Sequence, residues 1–251
     1  MSAELPTELE AFRRSTMPDS IAKLIDHSLL HPTLTDDEIR AGCQLAKRYE
    51  VASVCVKPYA VPLAVEILAG SSVAVGTVIG FPHGSHCTET KVTEARLACQ
   101  QGATELDMVV NVGKVLSGDW QYVEADIRAV VDEAHQHGAI TKVIFENDFL
   151  PRDDLKRQLC EICQRAGAEF VKTSTGFGFT KQPDGSYNYQ GATEHDIRLM
   201  RASVAATVQV KAAGGVRTYE DAARMRELGV TRIGATATQQ IVAGQRAAAG
   251  A

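Results

Sequence analysis

Long hydrophobic runs are missing from this chain. The longest, around Val73–Phe81, is far shorter than the roughly 20 apolar residues that a bilayer span needs. An excess of basic charge is missing too. Lys and Arg number 26 against 31 Asp and Glu, for a net charge of −5, so there is no electrostatic footprint for nucleic acid. Cysteine is sparse and scattered: Cys43, Cys55, Cys87, Cys99, Cys160 and Cys163 form no stapled framework and read as reduced thiols. Cys160-Glu-Ile-Cys163 is a C-x-x-C, but it falls in a helical pattern with no second pair at zinc-ribbon spacing. Aromatics make up 6%, and the one tryptophan, Trp120, opens a helical stretch as a packing residue. The first residues, Met-Ser-Ala-Glu-Leu-Pro, have neither a basic nor an apolar leader region, so the expectation is a cytoplasmic protein that does not engage membranes.

What the chain does have is a rhythm. Short β-branched runs at Lys23–Ser28, Val51–Val56, Ala74–Phe81, Glu105–Asn111, Ile140–Glu146, Phe170–Thr175, Thr207–Lys211 and Thr231–Ala235 predict strands. Amphipathic stretches near Asp36–Tyr49, Pro58–Leu68, Glu89–Gln101, Trp120–His137, Arg152–Ala166, Glu194–Ala202 and Tyr219–Leu228 predict the helices between them, with a last one from about Thr238. Thr35-Asp-Asp-Glu38 is a capping box. Gly102, Gly138, Gly167 and Gly229 stand where helices end. Alternating strands and crossover helices mean a parallel sheet, and eight units in 251 residues is the stoichiometry of an α/β (β/α)8 TIM barrel. An open doubly wound sheet is the rival, weakened by the lack of G-x-G-x-x-G after the first clear strand. The expectation is one domain over residues 1–251 with a short N-terminal helical extension over about residues 1–20. Lys181–Tyr189, with Pro183-Asp-Gly185 turn chemistry, reads as an extended loop.

Three strands carry charge where a barrel interior should be apolar. In Phe170-Val-Lys-Thr-Ser-Thr-Gly176, Lys172 shares a face with Phe170 and Ser174. An ammonium there is poorly solvated, so its pKa falls and a free amine can attack a carbonyl. The alternative is a lysine near the strand mouth paired with a carboxylate. In Thr207-Val-Gln-Val-Lys211, Lys211 points inward and ends the next strand round, either lowering the pKa of Lys172 or binding phosphate. In Glu105-Leu-Asp-Met-Val-Val-Asn111, Asp107 faces in, as a proton carrier, a structural counter-ion, or both. Lys142 and Glu146 add a weaker inward pair. Ala213-Gly-Gly-Val-Arg217 and Gly234-Ala-Thr-Ala237 place glycines after strands seven and eight, where barrels commonly hold phosphate. His27, His31, His83 and His86, with Cys87, raise the possibility of a metal, but no H-E-x-x-H occurs and Pro82-His-Gly reads as a loop.

These runs converge on one resemblance. Val171-Lys-Thr-Ser-Thr-Gly176, Val210-Lys-Ala-Ala-Gly-Gly-Val-Arg-Thr218 and Glu105–Asn111 resemble motifs of the deoxyribose-phosphate aldolases. So, in order, do Ile25-Asp-His-Ser-Leu-Leu30, Ser53-Val-Cys-Val-Lys-Pro58 and Ile79-Gly-Phe-Pro-His-Gly84. The resemblance spans roughly Ile21 to Thr238. It implies a class I aldolase that needs no metal or other cofactor. Such an enzyme takes phosphorylated sugars and aldehydes as its partners, and works as a homo-oligomer, dimer or higher. It makes Lys172 the imine-forming nucleophile, Lys211 its pKa-tuning neighbour, Asp107 a proton relay and Asp26 part of the polar network. Phosphate would rest on Gly176, Gly214, Gly215 and Gly234, with Arg217 and Thr236. Rival readings are an aldolase of the same family on another sugar phosphate or acceptor, a metal-dependent aldolase or isomerase using the histidines, and a non-catalytic sugar-phosphate-binding protein.

Overall fold

A computed structural model describes residues 20–250. The predicted N-terminal helical extension lies almost wholly outside the described residues. The first described element is a 3-10 turn at Ile21–Leu24.

The barrel strands are β1 (Ile25–Leu29), β2 (Ser53–Val56), β3 (Ala74–Ile79), β4 (Glu105–Val109), β5 (Ile140–Ile144), β6 (Phe170–Lys172), β9 (Gln209–Ala213) and β10 (Arg232–Ala235). They close in the order β1-β10-β9-β6-β5-β4-β3-β2, every pair parallel. Closure leaves no open sheet edge, and the doubly wound alternative falls. Crossover helices follow from the expected patterns: α1 (Asp36–Tyr49), α2 (Val61–Leu68), α3 (Thr88–Gln100), α5 (Trp120–Gln136), α6 (Asp153–Ala166), α7 (Glu194–Ala202), α8 (Tyr219–Glu227) and α9 (Thr238–Ala249). Thr35 caps α1 as a capping box with Glu38, which fixes that helix at the position its sequence predicts. Among the described residues, no helix is long and apolar enough to cross a membrane.

Two features differ from expectation. A short helix, α4 (Val112–Leu116), follows β4, because Asn111 accepts a hydrogen bond from Lys114 N–H and starts a turn too brief to show a period. The predicted 181–189 loop is instead a two-stranded ribbon. In it, β7 (Thr180–Lys181) pairs antiparallel with β8 (Tyr187–Asn188) around the Pro183–Gly185 turn. The register of the barrel matters most for function. Lys172 is the ladder partner of Lys211, Lys211 of Arg232, and Asp107 of Lys142. Side chains from five strands thereby meet in the interior.

Outside the strands, the apolar core lies between barrel and helices, with Ile39, Leu106, Ile127, Val143, Leu159, Val210 and Ile241 all buried in it. Cys160 and Cys163 belong to this layer; burial pushes the Cys160 thiol up to about 12, so neither offers a thiolate.

Candidate active site

The interior of the barrel brings together seven charged side chains, six of them almost fully buried. Asp107 Oδ2 accepts from Lys172 Nζ at 2.6 Å and from Lys211 Nζ at 2.7 Å; its other oxygen accepts from Lys142 Nζ at 2.8 Å. Asp26 accepts from Lys211 Nζ at 2.5 Å and from Arg232 at 2.5 Å. Glu105 accepts from Lys142 at 2.7 Å and from both terminal nitrogens of Arg232, at 2.8 and 3.0 Å. Asp26, Asp107, Lys142 and Lys211 are 1% exposed or less, so water contributes little to their solvation.

The four cations are not equivalent. Lys142, Lys211 and Arg232 each touch at least two carboxylates, whereas among the described residues Lys172 touches one, Asp107. Burial pulls every lysine here toward the neutral amine. At Lys142 and Lys211 the surrounding carboxylates outweigh burial and hold the pKa above the ordinary lysine value. At Lys172 burial prevails, aided by the Lys211 ammonium against the pull of Asp107, and the pKa falls. Burial would protonate Asp107, but Lys142, Lys172 and Lys211 together hold it well below the carboxylate range; Asp26 is held low likewise by Lys211, Lys142 and Arg232. The site therefore holds an ionised carboxylate beside an amine with a depressed pKa.

Above this network opens a cavity of about 240 Å³ at the carboxyl ends of the strands. Asp26, Lys172, Gly176, Lys211, Gly214, Gly215, Arg217, Gly234 and Thr236 all line it. Of the ten predicted site residues only Asp107 does not; it lies beneath, fully buried, in contact with both lysines. Gly176 and Gly214 sit at φ +91° and +90°, which side chains avoid, and among the described residues their amides donate to no protein acceptor. Gly176, in the loop after β6, and Gly214 and Gly215, in the turn after β9, line the same cavity, where unpaired backbone amides suit an anion.

Sequence reasoning missed part of this site. Of the inward pair Lys142 and Glu146, Lys142 does face in and binds Glu105 and Asp107, whereas Glu146 does not join them. The alternation that put residues 142 and 146 on one face stops at Ile144, where the strand ends, and Glu146 takes a left-handed backbone at φ +58°. Its carboxylate turns to the next loop, accepting from the Thr175 hydroxyl and from Thr175 N–H at 3.2 Å. Glu105 and Arg232 gave no functional signal, because their role depends on ladder register. Ser28, Cys55, Phe177 and Tyr189 also line the cavity.

The histidines do not converge on a metal site. His27 is bonded to Thr238 at 2.9 Å, and burial lowers its pKa to about 4. His31 lines the cavity mouth near Thr33. Among the described residues, potential ligands gather in threes only at Asp153, His195 and Asp196, where Lys156 already pairs with Asp196 at 2.6 Å.

Comparison with known proteins agrees with this geometry. The family described as DeoC/LacD family aldolase matches residues 20–244. A deoxyribose-phosphate aldolase of Rhodopirellula baltica is 47% identical over 222 residues, covering 88% of each chain. One from Bacillus cytotoxicus is 50% identical over 223 residues, covering 89% of this chain and 95% of that protein. The solved tetrameric deoxyribose phosphate aldolase of Aeropyrum pernix superimposes with a TM-score of 0.80 at 28% identity, covering 91% of this chain and 92% of that one.

Proposed function

The chain belongs to the DeoC/LacD family of aldolases, and from that premise we propose that it cleaves 2-deoxy-D-ribose 5-phosphate reversibly into D-glyceraldehyde 3-phosphate and acetaldehyde, through an imine on Lys172. The carrying observation is that Lys172 is the least-paired cation of a dry network and the one lysine in it whose pKa is lowered.

The steps follow from the geometry. The Lys172 amine adds to the C1 aldehyde, and loss of water from the carbinolamine leaves a protonated imine. Asp107, ionised beneath it, stabilises that cation. The water just released can pass the C3 hydroxyl proton to Asp107. The O–H electrons then close the new carbonyl of glyceraldehyde 3-phosphate. The C2–C3 electrons move into the iminium to give an enamine on Lys172. Protonation at C2 and hydrolysis return the amine and release acetaldehyde. Lys211, held as an ammonium, keeps the resting Lys172 neutral. Asp26 anchors Lys211 from the other side. The phosphate rests on the amides of Gly176, Gly214, Gly215 and Gly234, beside Arg217 and Thr236.

In this reading residues 1–251 work as one domain, in the cytoplasm, as an assembly of two or more copies; the tetrameric relative supports assembly. Borohydride reduction with substrate, followed by peptide mass spectrometry, tests the reading. The reduced adduct should appear on the peptide carrying Lys172 and vanish in Lys172→Met. An unmodified Lys172 in an enzyme that still turns over would refute it.

A further inference from the structure

Tyr189 stands directly after β8 and turns its ring into the catalytic cavity. Its hydroxyl oxygen is buried and, among the described residues, has no hydrogen-bond partner. A buried hydroxyl without a partner is unfavourable, so it points to a group that arrives later. Its position says which group. A Cβ built on Gly214 would lie 1.9 Å from this oxygen, and one built on Gly176 would lie 3.9 Å away. The hydroxyl therefore sits over the Gly214–Gly215 turn on the cavity wall.

The tyrosine is held there from several directions. Its ring packs on Phe179 at 5.4 Å between centroids. The Asp148 carboxylate accepts the N–H groups of Gln190 at 2.7 Å and Gly191 at 3.0 Å, pinning the residues that follow. Ala192 N–H donates to Gly214 O at 3.1 Å, and Gly191 packs on Gly214 so closely that a Cβ there would lie 2.8 Å from its carbonyl oxygen. The ribbon end and the glycine turn are thus docked onto each other. Burial raises the phenol pKa, with Glu146 and Asp148 acting in the same direction, so the group remains a donor at any physiological pH.

We propose that Tyr189 is a specificity-determining residue for the phosphorylated substrate: its hydroxyl donates to a phosphate oxygen seated on the Gly214–Gly215 turn and closes that subsite from the ribbon side. This deepens the aldolase reading and rests on it. Arg217 and the glycine amides supply attraction for the anion, while the phenol supplies a directed donor that an unphosphorylated sugar does not use.

The test is Tyr189→Phe, which keeps the ring on Phe179 and removes one oxygen. With 2-deoxy-D-ribose 5-phosphate, kcat/KM should fall about tenfold to a hundredfold, mainly through KM, as expected for loss of one hydrogen bond to a charged group. With 2-deoxy-D-ribose, kcat/KM should be unchanged. Binding of inorganic phosphate, read as a thermal shift, should weaken in parallel. Equal losses on both sugars would overturn the proposal in favour of a role at the reacting carbons, and no loss on either would overturn it outright. At saturating 2-deoxy-D-ribose 5-phosphate, borohydride trapping should reach the same extent at Lys172 in Tyr189→Phe and wild type. Its absence from wild type would sink the aldolase reading itself, a separate failure.

Discussion

Replacing Lys211 by methionine tests the electrostatic core of the site. The substitution keeps a long side chain in the barrel and deletes one positive charge. Lys172 and Lys211 share one oxygen of Asp107, with contacts of 2.6 and 2.7 Å, so their nitrogens are at most about 5.3 Å apart, the sum of those legs. At that range, and at an effective dielectric of about 20, two positive charges repel by about 3 kcal/mol, equivalent to about 2 pKa units. Removing Lys211 also leaves Asp107 with fewer cations, which strengthens its hold on a protonated Lys172. Both effects raise the Lys172 pKa. The reactive form is the free amine, so activity is lost as pH falls through that pKa. In Lys211→Met the acid limb of kcat/KM should therefore move up by about 2 pH units, with the loss largest at neutral pH and partly recovered in alkali. A coupled aldehyde assay across pH reads this, and the rate of borohydride trapping at Lys172 reads it without the later steps. An acid limb that stays put while activity falls at every pH would refute the argument that Lys211 tunes its neighbour.

Lys142 and Lys172 should part company in stability. Lys142→Met removes a cation shared by Glu105, Asp107 and Asp26 in the dry interior, leaving that negative charge under-compensated, and should cost about 3–5 kcal/mol, a drop in Tm of about 10 °C. Lys172→Met deletes a side chain already inclined to neutrality and should stay within about 1 kcal/mol of wild type while abolishing turnover; equal thermal shifts would refute the distinction. Asp107→Asn should lower kcat by about 10²–10⁴-fold with KM little changed, as measured by steady-state retro-aldol kinetics. Full activity would remove Asp107 from proton transfer. Gly214→Ala forces a side chain into a left-handed backbone and against the Tyr189 oxygen, so it should destabilise by about 1–3 kcal/mol and raise KM for the phosphorylated sugar.

Much of this architecture could be read from residue order. Helix α1 begins as predicted because Thr35 and Glu38 cap each other locally, and α7 does so because the Thr193 side chain accepts from Asp196 N–H. Strand ends were overshot where buried sequence outruns the ladder. Phe170–Thr175 pairs only to Lys172, after which Thr173 bonds to Ala213 O and Thr175 to Glu146. Lys172, Lys211 and Asp107 were legible because a charge amid β-branched residues is locally anomalous. Lys142, Glu105 and Arg232 were less so: each acquires meaning only from partners 35 to 206 residues away, through a register that no local pattern encodes. Tyr189 lay in a segment without period, and only docking on Gly214 shows where its hydroxyl goes.

Those distant partners explain why, in the proposed mechanism, one lysine and not another carries the chemistry. Fully ionised, the network has four cations, Lys142, Lys172, Lys211 and Arg232, against three carboxylates, Asp26, Glu105 and Asp107. An unmatched positive charge in a water-poor interior is costly, and shedding one proton removes it. The proton leaves from Lys172, because each of the other three cations would abandon at least two carboxylates and Lys172 abandons one. Lys172 also lines the cavity, with Thr175 and Gly176 after it on the same wall. When the imine forms and is protonated, the fourth positive charge returns, now delocalised over carbon and nitrogen and facing Asp107. In that mechanism the catalytic cycle moves a single charge in and out of one fixed array, and the array's composition selects the nitrogen at which this happens.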